Sequence, residues 1–104
     1  MYQVFVYVPE AYTEQIKDAV FTAGAGQFNQ YEHCCWQTRG TGQYKPLDGA
    51  NPAEGEVSKV HHVDEYRLEF ICPNKTVLKN VIAAMKEAHP YEEVAYGVIK
   101  LEKF

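Results

Sequence analysis

Between Tyr2 and Val8 the hydrophobic pattern alternates. Tyr2, Val4, Val6 and Val8 point one way and Gln3, Phe5 and Tyr7 the other, and the β-branched and aromatic content predicts a strand. After Pro9 the period changes. Ile16, Ala19, Val20 and Ala23 fall at i, i+3, i+4 and i+7, which predicts a helix from Glu10 to about Ala23. Acidic Glu10 and Glu14 suit its N-terminal end, and Gly24 and Gly26 supply a stop. A second strand is predicted over about Tyr31 to Arg39. The stretch Gly40 to Glu56 holds four glycines and two prolines without any period, and reads as a long loop.

A third strand is predicted from about Lys59 to Cys72. Tyr66, Leu68 and Phe70 share one face and Glu65, Arg67 and Glu69 the other, the alternation of an antiparallel sheet with one buried side. Pro73 ends that strand and Asn74 is a candidate N-cap. Val77, Leu78, Val81, Ile82 and Met85 then form one apolar stripe through about His89, Pro90 stops the helix, and Val94 to Leu101 predicts a fourth strand. The order β-α-β-β-α-β over residues 1–104 predicts a single α+β domain of ferredoxin-like type, with two helices on one face of a four-stranded antiparallel sheet. The other face, carrying Phe5 and Tyr7 beside Glu65, Arg67 and Glu69, is too aromatic to be left to solvent. It is expected to be covered by self-association, which makes the protein a homo-oligomer.

Composition narrows the function more than the fold. Hydrophobic residues make up 46% and charged residues 23% of 104 residues, ordinary globular usage. A net charge of −4, with the ten basic residues scattered, argues against nucleic acid or an anionic membrane as the partner. No apolar run approaches the ~20 residues that span a bilayer. The N-terminal stretch has no basic n-region, and the expected location is cytoplasmic, with Cys34, Cys35 and Cys72 reduced.

Chemistry concentrates in His89-Pro90-Tyr91-Glu92-Glu93, where the helical pattern gives way to a strand. A histidine at a helix C-terminus followed by proline is in the first instance a helix stop, favourable to the dipole. The sharper reading brings His89, Tyr91, Glu92 and Glu93 together with Tyr44, Pro46 and Asn51 of the glycine-rich loop to bind a small ligand or a protein partner. No nucleophile or second base is placed by a recognisable spacing, so no catalytic residue is assigned and the chain is read as non-enzymatic. A hydrolase-type enzyme using His89 as general base beside Glu92 or Glu93 is an alternative. No Gly-Lys-Ser/Thr follows the loop glycines, so the P-loop pattern is absent. A divalent metal site, zinc or copper, is the other alternative, with His33, Cys34, His62 and His89 as candidate donors. Their spacings match no zinc motif.

These pieces together resemble the inserted domain of the Nif-three-like (YqfO-type) family. The matching residues are Val8-Pro9-Glu10, the Gly-Ala-Gly at 24–26, Tyr31-Glu32-His33-Cys34, GTGQYKPLDGANPAEGEV from Gly40 to Val57, Glu65, and HPYEEVAY followed by Leu101. The resemblance implies a fold similar to PII signalling proteins and CutA. By that analogy it implies trimers, with a dimer left open, and a partner-contacting role for the long loop between strands two and three. In the family this domain sits in a larger two-lobed body whose histidines and carboxylates hold two metal ions. The chain looks like a free-standing copy, to which neither that metal chemistry nor a hydrolase or cyclohydrolase activity is expected to carry over. Gly97 stands where the family pattern has an acid after Ala-Tyr, and Cys35-Trp36 replaces a small residue and a phenylalanine.

Overall fold

Alternation at the N-terminus builds strand β1 (Tyr2–Pro9), whose Val4, Val6 and Val8 have no accessible surface in the computed structural model, which describes residues 1–104. A single 3₁₀ turn, Glu10–Tyr12, leads into helix α1 (Thr13–Thr22), so the first predicted helix is divided in two. Ile16 and Val20, one turn apart, carry its buried stripe. Gly24, at φ 110°, ends α1 and Gly26, at φ 76°, redirects the chain. A Cβ at Gly26 would collide with the backbone of Cys34, 2.7 Å from its carbonyl oxygen, so only glycine lets these two backbones meet.

That contact explains where the predicted second strand goes wrong. Gly26 accepts from the Cys34 N–H, and Phe28 and Tyr31 exchange two hydrogen bonds of 2.9 Å each, so residues 28–35 form a compact turn. His33 sits at φ 58° inside it, a conformation no strand accommodates. Strand β2 therefore starts at Trp36 and runs to Tyr44, five residues beyond the predicted start and end. Gly40 and Gly42 lie within it, paired with Glu65 and Val63, and the connecting segment spans residues 45–60 instead of 40–56.

Strand β3 (His61–Cys72) is the longest in the sheet. Helix α2 (Lys75–Ala88) follows, capped by Asn74, whose Oδ1 accepts from the Val77 N–H at 2.9 Å. Such a cap is worth about 1 kcal/mol. Leu78, Val81 and Met85 form its buried face, and each such side chain contributes about 1.5–3 kcal/mol on leaving water. His89 closes the helix in an extended conformation, ψ 137°, which is what a residue before proline prefers. Strand β4 (Tyr96–Lys100) is shorter than the predicted 94–101.

All pairings are antiparallel and the strand order is β2-β3-β1-β4, with both helices over one face: the ferredoxin-like architecture expected from the pattern. The core lies between that face and the helices, joining Val4, Val6, Val8, Leu68 and Phe70 to Ile16, Val20, Val81 and Met85. The register leaves His61 to Asp64 of β3 paired with β2 alone, so a two-stranded ribbon extends past β1 and the molecule is 46 Å long by 24 Å across. No helix is long and apolar enough to cross a membrane.

Candidate functional site

At the ribbon end, four parts of the chain meet: the end of β2, the start of β3, the connection 45–60, and the segment from α2 to β4. The connection is tied at three points. Ser58 N–H donates to the Pro46 carbonyl at 2.6 Å and closes its base. Tyr44 Oη donates to the Glu54 carbonyl at 2.8 Å and fixes its returning limb. Asn51 N–H donates to Glu92 Oε1 at 3.0 Å and pins its tip to the opposite wall, 41 residues away in sequence. Beneath this strap lies a cleft of about 620 Å³, within the range of small-molecule sites.

Tyr44 and Tyr91 form the aromatic part of its wall, with ring centroids 5.7 Å apart in an edge-to-face arrangement. Glu65 enters from β3. Its carboxyl group packs against Gly42, where a methyl group would overlap it, so the glycine in β2 makes the room that this side chain fills. Burial raises the Glu65 pKa above its ordinary value, with no opposing charge to restore it. The Tyr91 phenol is also held up, first by burial and then by its neighbours Tyr44 and Glu65, whose ionised forms would repel its phenolate. Its hydroxyl oxygen is buried and makes no well-formed hydrogen bond, although the Tyr44 side chain comes close enough to approach one.

His89 stands behind this wall, not in it. It is 6% exposed, and both ring nitrogens are engaged: Nε2 lies 2.8 Å from the Tyr7 carbonyl oxygen, and Nδ1 lies 3.2 Å from the Tyr91 backbone nitrogen. A carbonyl only accepts and an amide N–H only donates, so the two contacts together select the neutral tautomer with its proton on Nε2. Burial lowers its pKa, and the hydrogen bond to Tyr7 offsets that only in part. A charged histidine favouring the helix dipole is therefore not what terminates α2. A neutral one bonded across to β1 does, and it orients Tyr91, whose ring centroid is 5.2 Å from its own.

Of the residues singled out from the pattern, Tyr44, Pro46, Tyr91, Glu92 and Glu93 line the cleft. Asn51 contributes its backbone N–H to the strap, and His89 supports from beneath. Glu65 and Gly42 were not singled out for the site. The pattern places Glu65 in the row expected to be covered by self-association and Gly42 in the loop, and only the pairing of β2 with β3 brings them together. The metal candidates do not converge. His33 stacks on Phe21, the exposed Cys34 belongs to the turn at the other end of β2, His62 Nε2 is 3.0 Å from Gln43, and His89 is enclosed. No three histidine, cysteine or carboxylate groups are placed to hold an ion together.

No family model matches the chain. Individual proteins do. The GTP cyclohydrolase 1 type 2 homolog of Bacillus subtilis is 50% identical over 98 residues, which are 94% of this chain and 26% of that protein. The protein of the same name in Mycobacterium tuberculosis is 46% identical over 96 residues, covering 92% and 25%. The chain thus spans about a quarter of the length of the curated relatives it matches. Among solved structures, a Bacillus cereus protein related to NIF3 superposes with a TM-score of 0.83 at 38% identity, over 98% of this chain and 26% of its own. A PII-like protein CutA from Nostoc sp. PCC 7120 superposes with a TM-score of 0.68 at 16% identity, over 98% and 82%, a likeness of fold.

Proposed function

We propose that this chain, a PII-like and CutA-like domain belonging to the NIF3-related proteins, is a non-catalytic binding module that receives a small ligand in the cleft beneath the 45–60 strap. The observation that carries the reading is the cleft itself, about 620 Å³, roofed by a segment that three separate hydrogen bonds hold in place. A long connection ordered at its base, limb and tip has lost its conformational freedom before any ligand arrives, which lowers the cost of binding. The non-catalytic part rests on His89. With Nε2 donating and Nδ1 accepting, it has no lone pair turned to the cleft to act as a base. The name of the relatives refers to proteins of which this chain spans 26%, and we assign the domain no cyclohydrolase chemistry.

The domain acts as a homo-oligomer in this reading. No helix covers the second face of the sheet, which presents Phe5, Tyr7, Ile99 and a Trp36 that is 68% exposed. Native mass spectrometry of the purified protein reads both parts at once. The expected result is a multiple of the 11.9 kDa chain mass that retains a small molecule or takes one up from a metabolite mixture, with retention lost when residues 47–56 are replaced by a short glycine link. A monomer at micromolar concentration sinks the oligomer. Equal ligand retention by the strap-deleted protein sinks the cleft. The same spectra report any bound zinc or copper.

A further inference from the structure

We infer that the cleft takes the cationic end of its ligand, an alkylammonium or guanidinium group, against Glu65 with the rings of Tyr44 and Tyr91 as walls. This deepens the reading of the cleft as a binding site and rests on it. The lining carries three carboxylates, Glu65, Glu92 and Glu93, against one cation, the exposed Lys45. Glu92 is already accepting from Asn51. Glu65 is not in an ion pair, and Arg67, two residues along the same face, is turned away from it: its Nη1 donates to Tyr7 Oη at 2.7 Å and its Nη2 lies 3.7 Å from Glu69.

The chemistry of the two unpartnered groups chooses among ligands. An apolar group in the cleft would strip water from the Glu65 carboxylate, a cost of about 1–3 kcal/mol, and would offer the Tyr91 hydroxyl nothing. An anion would sit among groups that are already negative. A cation with N–H donors pairs with the carboxylate and brings a donor toward the hydroxyl oxygen, with the rings of Tyr44 and Tyr91 beside it. The same face of the sheet already holds such an arrangement built from the chain's own residues. The Arg67 guanidinium carbon lies 4.3 Å from the Phe5 ring centroid and 5.6 Å from that of Tyr7, with Glu69 as the counter-charge. Glu65, Tyr44 and Tyr91 offer one carboxylate and two rings in the same way, and no lysine or arginine of the chain pairs with that carboxylate.

The test is an NMR titration of the ¹⁵N-labelled full chain with four probes of one size: butylammonium, butylguanidinium, butanol and butanoate. The two cations are expected to shift the amides of Tyr44, Asn51, Glu65 and Tyr91, less so at high salt, while butanol and butanoate leave them in place. Glu65→Gln, its spectrum confirming the fold, is expected to weaken the cations about tenfold or more. Tyr91→Phe, which keeps the ring and removes the hydroxyl, gives a smaller loss. A lysine-bearing tripeptide with blocked ends that binds more tightly than butylammonium places the cation on a protein segment, and equal binding places it on a small amine. Butanoate or butanol shifting these amides as strongly as the cations overturns the charge preference and leaves the cleft standing as a binding site. Cation affinity unchanged in Glu65→Gln, or no cleft amide moved by any cation, overturns the inference itself, whereas the cleft reading is judged by ligand retention in the mass spectra.

Discussion

On the helix-covered face of the sheet Val4, Val6, Val8 and Leu68 have no accessible surface and belong to one apolar cluster with Ile16, Val20, Val81 and Met85. On the opposite face, alternate residues of the same strands carry Phe5, Tyr7, Glu65, Arg67 and Glu69, all partly exposed, with Gly40, Gly42 and Gly97 between them. The first face is filled by bulk. The second is shaped by missing side chains: Phe5 lies over Gly97 and Glu65 over Gly42, each in space that a single methyl group would occupy. Burial without polar partners makes the first face a source of stability. Polar groups in glycine-made recesses give the second its shape and charge.

Two positions, one on each face, test that division most strongly. Leu68→Ala, on the covered face, removes a side chain with no exposure and should cost about 2–5 kcal/mol in denaturant unfolding. A cost below 1 kcal/mol would mean the core collapses into the space and the contrast between faces is smaller than the packing implies. On the open face Gly97→Ala forces the Phe5 ring off its seat and away from the Arg67 guanidinium. The expected loss is about 1–3 kcal/mol, the range for overfilling a packed site. Phe5→Ala placed in the same background should recover most of it, because the alanine methyl then has room. Failure of that double variant to recover would show that strain at residue 97 lies in the backbone and not in the ring above it.

The pattern of the chain disclosed the covered face almost completely and the open face only in part, for a physical reason. Helix α2 announces itself locally through the Val77–Met85 stripe, the Asn74 cap and Pro90, and each of these signals lies within one or two turns of what it controls. Strand β2 has no such signal. Its glycines read as loop residues, and what holds them extended is pairing with β3, Gly40 opposite Glu65 and Gly42 opposite Val63, more than 20 residues away. The same distance hid part of the cleft. Tyr91, Glu92 and Glu93 stand out because they are clustered after a helix stop, whereas Glu65 enters the site only through Gly42 and Tyr44 of β2 and Tyr91 beyond α2, on two other segments. His89 looked like a cation at a helix end because sequence shows the helix but not the Tyr7 carbonyl 82 residues away that encloses it.

The smallest expected effect separates by pH Glu65, in the cleft wall, from His89, behind it. The His89 pKa is lowered below 6.5, so the unfolded chain binds its proton more readily. The stability this residue confers is complete above about pH 6.5 and is lost as pH falls toward its folded value. Glu65 acts with the opposite sign. Its pKa is raised above 4.5, so the folded chain binds the proton more readily and stability is gained as pH falls from above the raised value toward 4.5. Between pH 6.5 and 4.5 the two partly cancel in the wild type. Glu65→Gln removes the gain and should make the thermal midpoint fall more steeply on acidification, whereas His89→Gln, which keeps a donor for the Tyr7 carbonyl, should make it fall less steeply. Glu65 is partly open to solvent and its share is under about 1 kcal/mol, at most about 4–8 °C in a domain of this size. Profiles for Glu65→Gln and wild type that superimpose over this range would place the carboxyl group in water. The open face would then hold no desolvated charge, and the division between a face built for stability and a face built for recognition would rest on its glycines and aromatic rings alone.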